Sequence, residues 1–234
     1  MDKEIDLFNN YYNNFDKSNI IIKSKYNHTF RVVSYAESIA KSLNLNPEDI
    51  TLSKICALFH DIGRFNEVKK FNNLEDSNSF DHGDEGYNVL KKLNYNNDIV
   101  LLSTKYHNKY MVPNNINERT KMFCNIVRDA DKLDILTYQY SNIEPNETIS
   151  KDVLGFIKNK ELVDNKKITN STEAMLRGIS FIFDINYNET FKILEKDKII
   201  ERKLSILLDN NSSEELKNIK DDINNYIEKR LLEC

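Results

Sequence analysis

Apolar positions recur every three to four residues along almost the whole chain, the spacing of amphipathic helices. In residues 2–16 the stripe is Ile5, Phe8, Tyr12 and Phe15, which predicts a first helix. From about Tyr26 to Leu43 the same period links Val32, Ala36, Ile39 and Leu43 below His28. A third helix has a marked start at Asn46-Pro47-Glu48-Asp49: a capping side chain, a proline in the first turn, and acids at the positive helix end. It runs through Ile50, Ile55, Leu58 and Phe59 to His60-Asp61, and Gly63 is read as its end. Residues 66–81 are polar and weakly periodic and read as a loop, a candidate flap. Further helices are expected near 82–93, 97–107, 118–140, 171–184, 187–208 and 213–232. No strand pattern or internal repeat interrupts them, and with only five glycines and three prolines the expectation is an all-α fold.

The helices divide unevenly by chemistry. All four histidines, His28, His60, His82 and His107, fall in the first 140 residues, and residues 141–234 have none. Residues 1–140 are therefore read as the functional helical domain and 141–234 as a helical extension packed on it. The abundance of Asn, Lys and Ile reads as base bias and receives no functional weight.

At 234 residues and 40% hydrophobic content the chain can bury a sizeable core. A net charge of −4 argues against a general nucleic-acid binder but not against a small anionic substrate held by a few local cations. Cys56, Cys124 and Cys234 are odd in number and lack C-x-x-C spacing. The first two lie in apolar stretches and read as buried free thiols, which favours a reducing, cytoplasmic setting. No apolar run approaches membrane-spanning length and the N-terminus has no signal-peptide character, so a membrane partner is not expected.

Each histidine lies near an expected helix end with polar neighbours, and an otherwise apolar helix carries Asp129, Asp131 and Asp134. Adjacent side chains such as His60 and Asp61 diverge in mid-helix but can converge on one ion at a terminus. Imidazole and carboxylate together suit Mn, Fe, Zn, Co or Mg. One His-Asp pair is a weak signal; the ordered series His, His-Asp, His, His, Asp is a much stronger one.

The segments His28-Thr-Phe-Arg-Val, Ala57-Leu-Phe-His-Asp-Ile-Gly-Arg64 and Ala130-Asp-Lys-Leu-Asp134 resemble the HD-domain metal-dependent phosphohydrolase superfamily over roughly residues 25–140. The resemblance implies a helical bundle in which His28, His60, Asp61 and a later aspartate bind a divalent metal. Asp131 matches the family's Ala-Asp pattern, with Asp129 as competitor, and Asp134 would orient a ligand or the substrate. His82 and His107 resemble the extra histidines of dinuclear branches, which would make Asp61 a bridge between two ions. The implied chemistry is hydrolysis of a nucleotide or other small phosphate ester by a metal-activated water, with Asp61 and Arg64 catalytic and Arg64, Lys105, Lys109 and Arg128 holding phosphate. Two alternatives stay open: an HD-type di-iron oxygenase, and a non-catalytic sensor on the same scaffold. The chain departs from the HD-GYP branch, because Asn-Lys-Tyr-Met-Val-Pro follows His107 and Arg64 stands where that branch has lysine.

Ordinary explanations compete with these roles. His82 opens a helix beside Asp81, Asp84 and Glu85, which suit the helix dipole without a metal. Asp129, Asp131 and Asp134 could form a salt-bridged face with Arg128 and Lys132, and Arg64 could simply pair with an acid. Whether the C-terminal helices form a homodimer surface is left open.

Overall fold

The computed structural model describes residues 1–74, 80–137 and 143–233. Helices dominate the described residues, with no β-strand among them. They fall into two compact units, Met1–Asp134 and Ile135–Cys234.

The first unit contains α1 (Asp2–Tyr12), α2 (Ile20–Ser42), α3 (Pro47–Phe59), α4 (Arg64–Phe71), α5 (His82–Lys92), α6 (Asp98–Tyr106) and most of α7 (Glu118–Thr137). Short polar side chains start these helices. Asn19 caps α2, Asn46 caps α3 with Pro47 following, Asp81 caps α5 and Asn97 caps α6, each accepting from backbone amides of the first turn. Asparagine also ends several of them: Asn44, Asn72 and Asn94 take left-handed backbone angles with φ of 54°, 54° and 56°. No described glycine does so, which explains how a chain with five glycines turns so many corners. The asparagine content thus carries structural weight, in ending helices, that composition alone did not bring out.

The core of this unit joins the apolar stripes. Phe8 meets the rings of Tyr26, Phe30, Phe59 and Phe65 at centroid distances of 5.8–6.4 Å. Val32, Ala36, Leu58, Ile62, Leu90, Phe123, Ile126 and Leu133 are fully buried around them. At about 1.5–3 kcal/mol for each large side chain removed from water, this packing holds α2 on α3 and α5 on α6.

The second unit contains the last residues of α7, then α8 (Lys151–Lys158), α9 (Ser171–Ser180), α10 (Asn188–Lys196), α11 (Ile199–Asn210) and α12 (Glu214–Leu232). Its core is built from Val153, Met175, Leu176, Ile179, Phe191, Leu204, Leu207 and Ile223. No described helix is long and apolar enough to cross a membrane.

Four expectations require correction. The loop expected over 66–81 is helical in its first part, because Phe65, Glu67 and Val68 of α4 are buried although too few to show a period; residues 75–79 lie outside the described set. Gly63 does not close a helix in a left-handed conformation; it has φ −69° and opens α4. The single helix expected over 187–208 breaks at Lys198, where φ is 49°. Helix α8 was not anticipated. The last three residues of the helix expected to reach 140 also fall outside the described set.

Candidate metal centre

Helix α3 ends at Phe59, and His60 and Asp61 sit in the tight turn that leads into α4, where Ile62 N donates to Phe59 O and Arg64 N to Asp61 O. Gly63 lets this turn press on α5: a Cβ there would stand 2.2 Å from the His82 carbonyl oxygen and 2.6 Å from Gly86 N. Space, not backbone freedom, demands the glycine. The contact carries Asp61 to the first residue of α5, His82. His28 comes from the middle of α2, His107 from the end of α6, and Asp131 and Asp134 from α7.

The structure brings all six residues named as metal ligands together around the Asp61 carboxylate. Its Oδ2 lies 3.4 Å from His28 Nε2 and 3.5 Å from His60 Nε2. Its Oδ1 lies 3.5 Å from His82 Nε2 and 3.4 Å from His107 Nε2. Asp131 Oδ1 joins the first pair, 3.2 Å from His28 Nε2 and 3.8 Å from His60 Nε2. Ligands bound to one ion at about 2.1 Å sit roughly 3.0–3.4 Å apart, so these spacings match donors that share a cation. Among the described residues, the donors of His28, His60 and Asp131 lie within 4.8 Å of one another, as do those of His60, Asp61 and His107. Asp131 is the most open of the six, its side chain 22% exposed, and marks the side facing solvent. Asp129 is fully buried and belongs to neither group.

The outer ring nitrogens are also engaged. His60 Nδ1 lies 2.7 Å from Ala57 O, His107 Nδ1 2.7 Å from Thr104 O, and His28 Nδ1 2.6 Å from Asp134 Oδ2. Asp134 is spanned in turn by Arg31, at 2.6 and 2.9 Å. Such partners set which nitrogen is free to coordinate. Asp134 therefore backs a histidine.

Charges are strongly displaced from their ordinary states. Burial would lower the His28 pKa and Lys25 adds to that, but hydrogen bonds to Asp131, Asp134 and Asp61 outweigh both and lift it to about 10. Burial instead dominates at His60 and pulls it down to about 4, against the attraction of Asp61 and Asp131. Burial would raise the Asp61 carboxyl; Lys25, His60, His107 and His28 overcome it and hold the group well below its usual range. Asp131 is held down in the same way, burial being overcome chiefly by His28 and His60. Two carboxylates thus stay ionised in a buried pocket, an arrangement that calls for cations.

The residues expected to hold phosphate have other engagements. Arg64 Nε approaches Asp61 Oδ1 at 3.8 Å, while one terminal nitrogen of Arg64 donates to Glu67 at 2.6 Å and Leu74 O at 3.0 Å. Lys109 pairs with Asp81 and Asp84 at 2.5 and 3.1 Å. Lys105 stands 3.9 Å from Asp84 and over the rings of Tyr87 and Tyr106. Arg128 is buried and clasps the carbonyls of Tyr106, His107, Lys109 and Tyr110, fixing the backbone around His107.

Three residues at the centre escaped the sequence reading: Lys25, Arg31 and Asn108. Lys25 and Arg31 stand three residues either side of His28, on its helix face, a spacing that could have signalled them. Asn108 follows His107 directly and gave no signal of its own. Cys56 and Cys124 are buried free thiols, as read; burial, the main cause, raises them to about 12 and about 11.

Comparison with known proteins agrees with this geometry. The HD domain family matches residues 26–138. Ribonuclease Y of Mycoplasmoides gallisepticum is 27% identical over 191 residues, covering 76% of this chain and 31% of that protein. Ribonuclease Y of Ureaplasma parvum serovar 3 is 23% identical over 183 residues, covering 77% of this chain and 36% of the relative. The chain thus spans about a third of the length of these curated relatives. No solved structure matches it significantly.

Proposed function

We propose that this chain, whose residues 26–138 match the HD domain family, is a metal-dependent phosphohydrolase that holds two divalent cations, one on each oxygen of Asp61, and acts on a nucleotide or another small phosphate ester. The observation that carries this reading is the carboxylate of Asp61, with Oδ2 turned to His28 and His60 and Oδ1 to His82 and His107. His28, His60 and Asp131 would complete one cation's ligands, and His82 and His107 the other's. The mixed imidazole and carboxylate set suits Mn, Fe, Co, Zn or Mg. Bound there, the ions would supply Lewis acidity to phosphoryl oxygens and lower the pKa of a water.

The protein's own groups would bind and orient the substrate. It enters past Asp131, the open side. Arg64 adds positive charge beside Oδ1 of Asp61 and is long enough to turn from Leu74 O to a phosphate oxygen. Arg128 keeps His107 in place through the carbonyls around it. Lys105 and Lys109 would have to leave Asp81 and Asp84 to reach a phosphate, which makes them secondary contacts. Residues 1–140 would carry the chemistry and 141–234 serve as an extension. The buried thiols support a reducing, cytoplasmic setting.

The relatives' printed name, ribonuclease, brings RNA phosphodiesters into the candidate range alongside small esters. The test is phosphate release with Mn(II) or Co(II) from nucleoside mono-, di- and triphosphates, bis-p-nitrophenyl phosphate and a short oligoribonucleotide. Metal-dependent turnover that Asp61→Asn abolishes supports the proposal. O₂ consumption by the iron form without phosphate release would point to the oxygenase alternative. No turnover by a fully loaded protein that binds a phosphate ester tightly would point to a sensor.

A further inference from the structure

His82 is held unlike the other three histidines. His28, His60 and His107 each set Nδ1 against an oxygen acceptor, which keeps a proton there and makes Nε2, on the Asp61 side, the nitrogen that can offer a lone pair to a cation. His82 Nδ1 instead lies 3.2 Å from the carboxamide nitrogen of Asn108. That same nitrogen stands 3.1 Å from Asp81 Oδ1. Only an NH₂ group sits favourably beside a carboxylate oxygen, so Asp81 fixes the orientation of the amide. In this orientation the Asn108 carbonyl oxygen is turned to Gly83, where a Cβ would meet it at 2.4 Å.

Asn108 thus donates one hydrogen to Asp81 and one to His82 Nδ1. A neutral His82 accepting at Nδ1 carries its proton on Nε2, the nitrogen that faces His107 Nε2 at 3.0 Å. The result is an unbroken relay in which Asn108 donates to His82, His82 to His107, and His107 to the Thr104 carbonyl. Every nitrogen on the Oδ1 side is satisfied without a cation. On the Oδ2 side His28 and His60 also bring their Nε2 atoms together, at 3.3 Å, but both rings have an oxygen acceptor behind Nδ1 and face two carboxylates.

We propose that Asn108 is a positioning residue that makes the two halves of the centre load unequally, an inference that rests on the two-cation reading above. The half formed by His28, His60, Asp131 and Asp61 Oδ2 fills first. The half formed by His82, His107 and Asp61 Oδ1 fills only when the His82 proton leaves Nε2 for solvent and one returns to Nδ1. Asn108 must then turn its carbonyl oxygen to receive the new N–H. That rotation takes a hydrogen bond from Asp81, which keeps Lys109 and the Asp84 amide. The second cation is therefore the exchangeable one.

Two measurements test this. In the ion-free wild-type protein, ¹⁵N chemical shifts of the histidine rings should show His82 with its proton on Nε2 and His60 and His107 with theirs on Nδ1. A His82 protonated on Nδ1 would overturn the proposal. A Co(II) titration followed by absorbance should show two steps, the second at least about tenfold weaker, the size expected for a partner behind a ligand. The paired change Asp81→Asn with Asn108→Asp keeps the amide–carboxylate pair but gives His82 Nδ1 an acceptor. It should strengthen the second step about tenfold and leave the first unchanged. Equal steps in the wild type, or a second step unmoved by the exchange, would overturn the proposal while leaving the two-cation reading intact. Absence of any Co(II) binding would sink that reading instead, and the ring shifts would still report the tautomer.

Discussion

Lys25 Nζ lies 2.7 Å from Asp61 Oδ2, the oxygen that also faces His28 and His60. Asp61 is 4% exposed, and an ionised carboxylate so far from water needs a positive partner. Lys25 supplies it from one turn before His28, so the protein carries a counter-cation at the place where a divalent ion would do the same. Replacing Lys25 with Met should destabilise the ion-free protein and make it lean on metal. Thermal unfolding with and without Mn(II) checks this: the rise in Tm on adding metal should be larger for the variant than for the wild type. Equal rises would mean that Lys25 does not stand in for the cation.

Asp134 and His28 form a carboxylate–imidazole pair at 2.6 Å that aims Nε2 at Asp61 and Asp131. Asp134→Asn keeps the shape and removes the charge behind the ring. Metal affinity of the His28–His60 half should fall about 10- to 100-fold, read by competition with a chelator of known affinity. The His82–His107 half should keep its affinity.

Gly63→Ala would place a methyl group 2.2 Å from the His82 carbonyl oxygen, and neither backbone can yield cheaply. Overpacking of this kind costs about 1–3 kcal/mol or more. Denaturant unfolding should show that loss, together with weakened binding at the His82–His107 half as α5 is pushed away. A variant as stable as wild type would contradict the close packing of the turn on α5.

Lys203, in α11, is buried, and burial lowers its pKa from 10.5 to about 8. The sign follows from proton counting. Between pH 8 and 10.5 the unfolded chain holds more protons on this residue than the folded one, so stability rises with pH across that window. Below pH 8 the full cost of the buried ammonium is present. Lys203→Met should therefore flatten the rise in Tm between pH 8 and 10.5. A variant whose Tm climbs as steeply as the wild type's across that window would contradict the burial argument.

Much of the fold was legible because long helices with wide apolar stripes repeat their signal. Helices α2, α3 and α7 show it, and caps such as Asn46-Pro47 fix their starts. What escaped was short or depended on contacts distant in sequence. Helix α4 buries only Phe65, Glu67 and Val68 of eight residues, too few for a period to emerge. The break at Lys198 rests on one backbone angle that its residue type does not advertise. At the centre, the four histidines could be singled out in advance because few residue types do their chemistry, and Asp131 was preferred to Asp129 only through the resemblance of Ala130-Asp131 to a family pattern. The work of Asn108 could not, because an asparagine beside a histidine means nothing until Asp81 is brought to its other side by the fold. Gly63 was noticed for the wrong reason: its neighbour across space, His82, matters more than its place at a helix end.

The most direct test of the account is the number of metal ions per chain after equilibrium dialysis against excess Mn(II), measured for the wild type, His82→Ala and His107→Ala. Two ions in the wild type falling to one in each variant is the predicted result, because each substitution strips a ligand from the Oδ1 side of Asp61 alone. A single ion in the wild type, unchanged in both variants, would contradict the claim that Asp61 joins two metal sites.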